Sequence, residues 1–365
     1  MDKGYGARGN GGRGLEESKK DHEHFRGCLI GGAIGDAFGQ PVEFMSYHSI
    51  LGKYGEEGIT SPECSGSGVM EITDDTQMTL FTAEGILRAQ SRWNDRGICH
   101  PPTVVYHAYL RWLATQGYPR VEEYDWIYDG WLFNIKELHQ RRAPGNTCMS
   151  ALASGTMGST ETPFNNSKGC GGVMRVAPAG LVFRKERAFE MGMEFAALTH
   201  GHPSGYLPAG ALAYIISSII DGRDLETAVN DSIKALEAHK GYEETAVLMK
   251  QSLELAGSGL KDVDAVFRLG EGWVGEEALA ISVYCALKHR KDFRRGIIAA
   301  VNHSGDSDST GAITGNILGA WLGLSSIPGD WVEKLELKEG IMQVADDLFA
   351  GFSEGHKWWE KYPGY

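Results

Sequence analysis

The sequence predicts an all-α fold, one compact domain of many helices, and three observations carry that reading. From Phe25 onward apolar residues recur three and four apart, as at Met78, Phe81, Ile86 and Leu87, or at Val104, Ala108, Leu110 and Leu113. Clean alternation with period two is scarce, and no series of strand-plus-helix units appears of the kind a doubly wound sheet needs. Two segments repeat glycine every fourth residue: Gly27, Gly31, Gly35 and Gly39, and later Gly311, Gly315, Gly319 and Gly323. Glycine costs about 1 kcal/mol in a helix interior relative to alanine, so such ladders need a compensating gain. Spacing by four puts the glycines on one face, where a second helix can approach closely. The expectation is that the two ladders cross at the centre of the protein and join the two ends of the chain.

In chain order, residues 1–24 read as a flexible extension and residues 25–365 as a single domain. The extension mixes six glycines with Lys3, Arg8, Arg13, Lys19 and Lys20, a composition that cannot bury enough apolar surface to order itself. It also lacks the apolar stretch of a secretory signal. Helix is expected over 76–87 and through the second ladder, with long loops over 47–72, 90–102, 115–129 and 155–172, all rich in Gly, Pro, Ser or Asn. The longest apolar stretch, 209–220, is shorter than the roughly 20 residues a membrane span requires and reads as a buried helix.

Composition narrows the function. The 365 residues are 42% hydrophobic with a formal net charge of −13 and a pI near 5.4, which disfavours nucleic acid and anionic membranes as partners. The six cysteines form no C-x-x-C pair, which argues against a zinc module or a disulfide framework and for a reducing cytoplasm.

Two acidic clusters stand out. Thr73-Asp74-Asp75 precedes a helical run, and Asp306-Ser307-Asp308-Ser309 precedes the second ladder. Each alone reads as a helix cap, hydroxyl and carboxylate satisfying free N–H groups at the positive end of the dipole. The second imitates the start of an EF-hand loop, but its twelfth position is Ile317, where that loop needs a glutamate. Brought together, the clusters supply hard oxygen donors suited to Mg²⁺, Mn²⁺ or Ca²⁺, and a cation would offset the repulsion among crowded carboxylates. Three more segments complete the set. After Asp36, Pro41 sets an extended turn from which Glu43 reaches outward. The loop Ser167-Lys168-Gly169-Cys170-Gly171-Gly172 offers backbone N–H groups for a phosphate, with Arg175 following. Thr199-His200-Gly201-His202 brings two imidazoles, of which loop histidines are often bystanders. The glycines fit neither G-x-G-x-x-G nor a phosphate-loop motif.

In this order the segments resemble the ADP-ribosylglycohydrolase family, over roughly 25–352: Gly31-Gly32-Ala33-Ile34-Gly35-Asp36-Ala37-Phe38-Gly39, Pro41-Val42-Glu43-Phe44, Thr73-Asp74-Asp75-Thr76, Gly171-Gly172-Val173-Met174-Arg175, Thr199-His200, Gly272-Trp273-Val274 and Gly305-Asp306-Ser307-Asp308-Ser309. The resemblance implies an all-α fold around a dinuclear Mg²⁺ or Mn²⁺ site. On that pattern Thr73, Asp74, Asp75 and Asp308 bind one ion, and Asp306, Asp308 and Ser309 the other. It also implies that Glu43 sits on a mobile loop near the ribose. Ser167, Gly169, Gly171, Gly172 and His200 then receive the diphosphate and its neighbouring ribose, with Trp273 stacking on or lining the ligand. Lys168 and Cys170 depart from the pattern, which has an aromatic residue and an asparagine there in some members.

Hydrolysis at an anomeric carbon develops oxocarbenium character, which nearby carboxylates stabilise. The expected roles are an aspartate of the Asp74-Asp75 pair as water-orienting base, with Glu43 as an alternate base or lid. The opening 35–44 is more like the arginine-specific branch, so ADP-ribosyl-arginine on a protein is the expected substrate. A reading of another class makes the chain an immunity protein whose residues 1–24, through Arg8 and Arg13, also enter and block an ADP-ribosyltransferase toxin; a metal-binding scaffold without turnover is a third.

Overall fold

The computed structural model describes residues 18–364. Among them are seventeen α-helices and six short 3-10 turns, with no strand beyond the isolated bridges Met70 to Leu335 and Gly169 to Val274. The first half of the chain forms α1 (His22–Gly39), α2 (Tyr47–Tyr54), α3 (Asp74–Arg96), α4 (Pro101–Thr115), α5 (Asn146–Ala153), α6 (Ala177–Val182) and α7 (Lys185–Ala197). The next segment gives α8 (Pro203–Ile220), α9 (Leu225–Leu236), α10 (Glu243–Ala256), α11 (Asp262–Leu269), α12 (Gly275–Lys288) and α13 (Phe293–Val301). Last come α14 (Ser307–Leu322), α15 (Gly329–Lys334), α16 (Lys338–Ala350) and α17 (His356–Lys361). The all-α expectation holds. Residues 1–17, and with them most of the candidate partner-binding arm at 1–24, lie outside the described residues; α1 starts at His22, inside that arm, where Asp21 caps the His24 N–H at 2.9 Å.

The two glycine ladders meet as a pair of antiparallel helices, α1 against α14. A Cβ built on Gly27, Gly31 or Gly35 would lie 1.9–2.4 Å from the carbonyl oxygens of Gly319, Gly315 and Gly311 respectively. The relation is reciprocal, with Cβ positions on Gly311, Gly315 and Gly319 at 1.9–2.3 Å from the oxygens of Gly35, Gly31 and Gly27. Nothing larger than hydrogen fits at these crossings, so the backbones themselves are in contact. Two ladder positions have different roles. Gly39 faces the Ser307 backbone rather than a glycine, and Gly323 ends α14 with φ of +83°, the left-handed conformation that favours glycine. Asn316, next to the seam, donates its side-chain amide to the Cys28 carbonyl at 2.9 Å. The contact fixes the end of α1 against the start of α14, which is where the acidic residues stand.

Around this pair most of the remaining helices bury their apolar faces in one extensive core, and α10 to α13 share a smaller one that includes Leu255, Val266, Ile281 and Ala300. Helix α8 is long and apolar enough to cross a bilayer by length and composition alone, but 89% of it is buried, and it serves as a core helix. Two expected loops are partly helical. The segment 47–72 contains α2, started by Ser46, whose hydroxyl accepts from the Ser49 N–H at 3.1 Å. In 90–102, α3 continues to Arg96 before Gly97 caps it in the left-handed conformation. Ser91 in this stretch is a tertiary partner: the Trp358 indole donates to its buried hydroxyl at 2.8 Å.

Helices α3 and α4 also share a buried ionic knot. Glu84 accepts from Arg88 at 3.0 Å and from Arg111 at 2.9 Å, and Arg88 extends to Asp129 at 2.8 Å. Glu84, Arg111 and Arg88 are 0%, 1% and 3% exposed, so the charges depend on one another for compensation. Glu84→Ala is expected to cost about 3–5 kcal/mol, because it leaves two guanidiniums buried without their shared carboxylate. Urea unfolding of the variant checks this, and a change below about 1 kcal/mol would refute the dependence.

Candidate active site

Three chain segments converge on one cavity of about 340 Å³, within the range of small-molecule sites. The turn after α1 supplies Glu43, and the first turns of α3 and α14 supply the cavity's other carboxylates. Thr73 is the N-cap of α3 and Asp306 that of α14, whose side chain accepts from the Ser309 N–H at 3.2 Å. Both segments therefore cap helices as expected, and they also face one another: Asp74, Asp75, Asp306, Asp308 and Ser309 line the cavity together with Glu43. Two helix N-termini pointing at one space give it a positive background that offsets part of the acidic charge.

Asp36 holds the arrangement from beneath. Fully buried, it accepts from the Thr73 N–H at 3.0 Å, the Thr73 hydroxyl at 2.8 Å, the Thr76 N–H at 3.1 Å and the Thr76 hydroxyl. Thr73 thus gives its hydroxyl hydrogen to Asp36 and keeps its oxygen lone pairs for the Asp75 N–H and one further partner.

Burial and mutual repulsion dominate the electrostatics. Burial pushes Asp36 up to about 6 despite its hydrogen bonds. Burial, opposed by a Gly145 N–H and aided by Asp36 and Asp306, pushes Asp74 up to about 7. Burial and the charges of Asp306 and Asp74 push Glu43 up to about 8. Asp75 and Asp308 are also pushed well above the usual carboxylate range, first by burial and then by neighbouring aspartates. After burial, Asp75, Asp306 and Glu43 are the charges that raise Asp308, and Asp306 and Asp74 those that raise Glu43. Among the described residues no three His, Cys, Asp or Glu side chains close on one point as metal ligands. The donor set nevertheless fits a hard divalent cation: it is oxygen-rich, and Asp75 Oδ2 is buried without any partner.

A pH prediction follows with a definite sign. Carboxylates whose folded pKa is raised contribute stability that is present below the unfolded value and lost as pH rises through the folded one. With a chelator present, the thermal midpoint should therefore fall as pH rises through about 6 to about 8, the values of Asp36, Asp74 and Glu43. Added Mg²⁺ should restore more at the upper end of that window than at the lower. Thermal unfolding with and without Mg²⁺ measures the gap, and a gap independent of pH would refute the argument.

The wall opposite is the glycine loop. Gly169 and Gly171 line the cavity with His200, whose ring packs tightly against both: a Cβ built on Gly169 would be 3.2 Å from Nε2, and one on Gly171 3.1 Å from Cε1. His200 is held by the Thr199 hydroxyl at 2.8 Å, and burial beside Arg175 lowers it to about 3, which keeps the imidazole neutral. Arg175 itself is not a phosphate ligand. It is wholly buried, donates to Thr199 at 2.7 Å and to the Phe195 carbonyl at 3.1 Å, and stacks on Tyr109 at 4.3 Å. His202 caps α8 through the Ser204 N–H at 3.0 Å. Trp273 lines the cavity and accepts from the Cys170 N–H at 3.2 Å through its carbonyl. Its ring stacks on Phe44, 5.0 Å between centroids, at a residue whose φ of +62° is strained for a bulky side chain.

The model of the ADP-ribosylglycohydrolase family matches residues 17–357. The chain belongs to the ADP-ribosylglycohydrolase family. It is therefore a hydrolase of ADP-ribosyl bonds. An uncharacterized protein of Archaeoglobus fulgidus is 30% identical over 337 residues, 90% of this chain and 96% of that protein. The ADP-ribosylarginine hydrolase Tri1 of Serratia proteamaculans is 26% identical over 89% of this chain and 78% of its own length. A solved ADP-ribosylglycohydrolase-related protein complex superposes with a TM-score of 0.62 at 23% identity, covering 90% of this chain and 98% of that one, and so shares the fold.

In this glycohydrolase the cavity gathers Glu43, Asp74, Asp75, Asp306, Asp308, Ser309, Gly169, Gly171, His200 and Trp273 from the expected set. Thr73, Ser167 and Gly172 stand behind the wall. Thr73 is turned to Asp36, the Ser167 hydroxyl accepts from the Gly169 N–H at 3.2 Å, and Gly172 packs where a Cβ would be 2.6 Å from the Gly205 carbonyl. Sequence reasoning missed the start of α5, where the Gly145 N–H donates to Asp74 at 3.2 Å and Asn146, Thr147 and Cys148 line the cavity. Only the Pro144-Gly145 turn marks it in the sequence.

Proposed function

We propose that this ADP-ribosylglycohydrolase removes ADP-ribose from arginine side chains of modified proteins, using two divalent cations, Mg²⁺ or Mn²⁺. The observation that carries the reading is the convergence of Glu43, Asp74, Asp75, Asp306 and Asp308 on a cavity whose far wall is a glycine loop and a neutral imidazole. Thr73, Asp74, Asp75 and Asp308 would hold one cation, and Asp306, Asp308 and Ser309 the other. Bound there, the cations would orient ribose hydroxyls and lower the pKa of a water.

The remaining work falls to the chain's own groups. The acidic wall stabilises positive charge growing at the anomeric carbon, and an aspartate of the Asp74-Asp75 pair takes the proton from the attacking water. Glu43, half-buried at the mouth, is the alternate base. Gly169 and Gly171 let the diphosphate approach the loop backbone, and neutral His200 offers it a hydrogen bond rather than a charge. The arginine linkage is supported by the relative named as an ADP-ribosylarginine hydrolase. The six cysteines, all free thiols, support a reducing cytoplasmic setting.

Release of ADP-ribose from arginine-modified and serine-modified proteins, each with Mg²⁺ and with chelator, tests the reading. Mg²⁺-dependent release from arginine supports it. Release from serine alone would overturn the linkage, and release undiminished by chelator would overturn the metal requirement.

A further inference from the structure

Cys170 is a residue of the cavity wall whose side chain the proposed reaction does not use. Its Sγ donates to Asp306 Oδ2 at 2.7 Å, and the Ser309 hydroxyl lies 3.7 Å from the same sulfur. The position is fixed, since the Cys170 N–H is tied to the Trp273 carbonyl at 3.2 Å within a 3-10 turn, Cys170–Gly172. A second observation points to a cation in the same cavity: Asp75, 3% exposed and part of its lining, has Oδ2 buried without a hydrogen bond. A thiol touching Asp306 and Ser309 changes which cations those oxygens attract. Hard oxygen sets favour Mg²⁺ and Mn²⁺, whereas a sulfur donor favours Zn²⁺ and Cd²⁺.

We infer that Cys170 gives this cavity a sulfur ligand beside Asp306 and Ser309, through which it takes a thiophilic divalent cation in competition with the hard one. The inference rests on the reading that these oxygens hold a cation, and not on the arginine linkage. On binding, the Cys170 S–H bond breaks, its proton passes to solvent and a sulfur–metal bond forms, with no change of oxidation state. The competition makes Cys170 a residue that sets metal specificity.

Cadmium titration of the full chain, stripped of metal by chelator, reads the event directly through the ultraviolet thiolate-to-cadmium absorption. The wild type should give a band that saturates at one thiolate per chain, and Cys170→Ser should give none. Asp306→Asn should weaken Cd²⁺ binding by roughly tenfold or more. Retained thermal stabilisation of Cys170→Ser by Mg²⁺ shows that its oxygen ligands are intact. No band in the wild type, a band that persists in Cys170→Ser, or one lost instead on substituting the exposed Cys64 would overturn the inference. Failure of the arginine assay with the cadmium band present would count against the proposed substrate alone. The reverse pattern would count against the sulfur ligand alone.

Discussion

Asp308→Ala should abolish release of ADP-ribose while leaving the fold intact. In the proposed reading Asp308 is the carboxylate shared by both cations, and Asp75, Asp306 and Glu43 all act on its charge. Removing an outer-shell partner of a metal typically costs 10–100-fold, so losing a shared ligand should exceed roughly a hundredfold in kcat/KM. Stability should move the other way in the absence of metal, because one member of a repelling cluster is gone. The thermal midpoint of Asp308→Ala in chelator should match or exceed that of the wild type, and its response to Mg²⁺ should shrink. A variant with near wild-type turnover would remove Asp308 from the mechanism, whereas an unfolded variant would show that the cluster is structural.

Gly315→Leu should prevent folding altogether. A Cβ there would sit 2.0 Å from the Gly31 carbonyl oxygen and 2.5 Å from its carbon, and these are backbone atoms of a buried helix. Side chains can rotate away from such an intrusion, but two helix backbones can only separate, which would open the seam from Gly27 to Gly39 and displace Asp36. The expected result is insoluble protein or loss of the cooperative unfolding transition. Gly340→Ala is the control: the position lies in α16 with nothing within 4 Å of its Cβ, and the change should stabilise by up to about 1 kcal/mol. A soluble Gly315→Leu with a wild-type melting curve would refute the backbone-contact account of the ladders.

Much of this architecture was legible because its causes are local or periodic. A four-residue glycine spacing is meaningless in a loop and expensive in a helix, so it announced the α1–α14 crossing. The acidic clusters were visible as caps, and their meeting was implied by the family resemblance rather than by the ladders, since Asp74 and Asp75 stand on α3, outside both. Asp36 was named in the sequence but given no role. A lone carboxylate in an apolar helix carries no periodic signal, and its partners, Thr73 and Thr76, lie some forty residues away and are brought to it only by tertiary packing. The same limit hid the first turn of α5 and the burial of Arg175, whose arginine–glycine context reads equally well as a phosphate site. The polar end of α3 read as a loop because Ser91 answers a tryptophan near the other end of the chain.

The seam between α1 and α14 also sets the order of events during synthesis. Gly39 and Ser307, which meet in the folded protein, are separated by roughly 270 residues, which at about 5–20 residues per second is a delay on the order of tens of seconds. Throughout that interval the glycine face of α1 has no mate, and half of the acidic wall does not yet exist. Until residues 307–322 have been made the chain therefore holds no assembled site, and assembly waits for α14 to dock against the first helix.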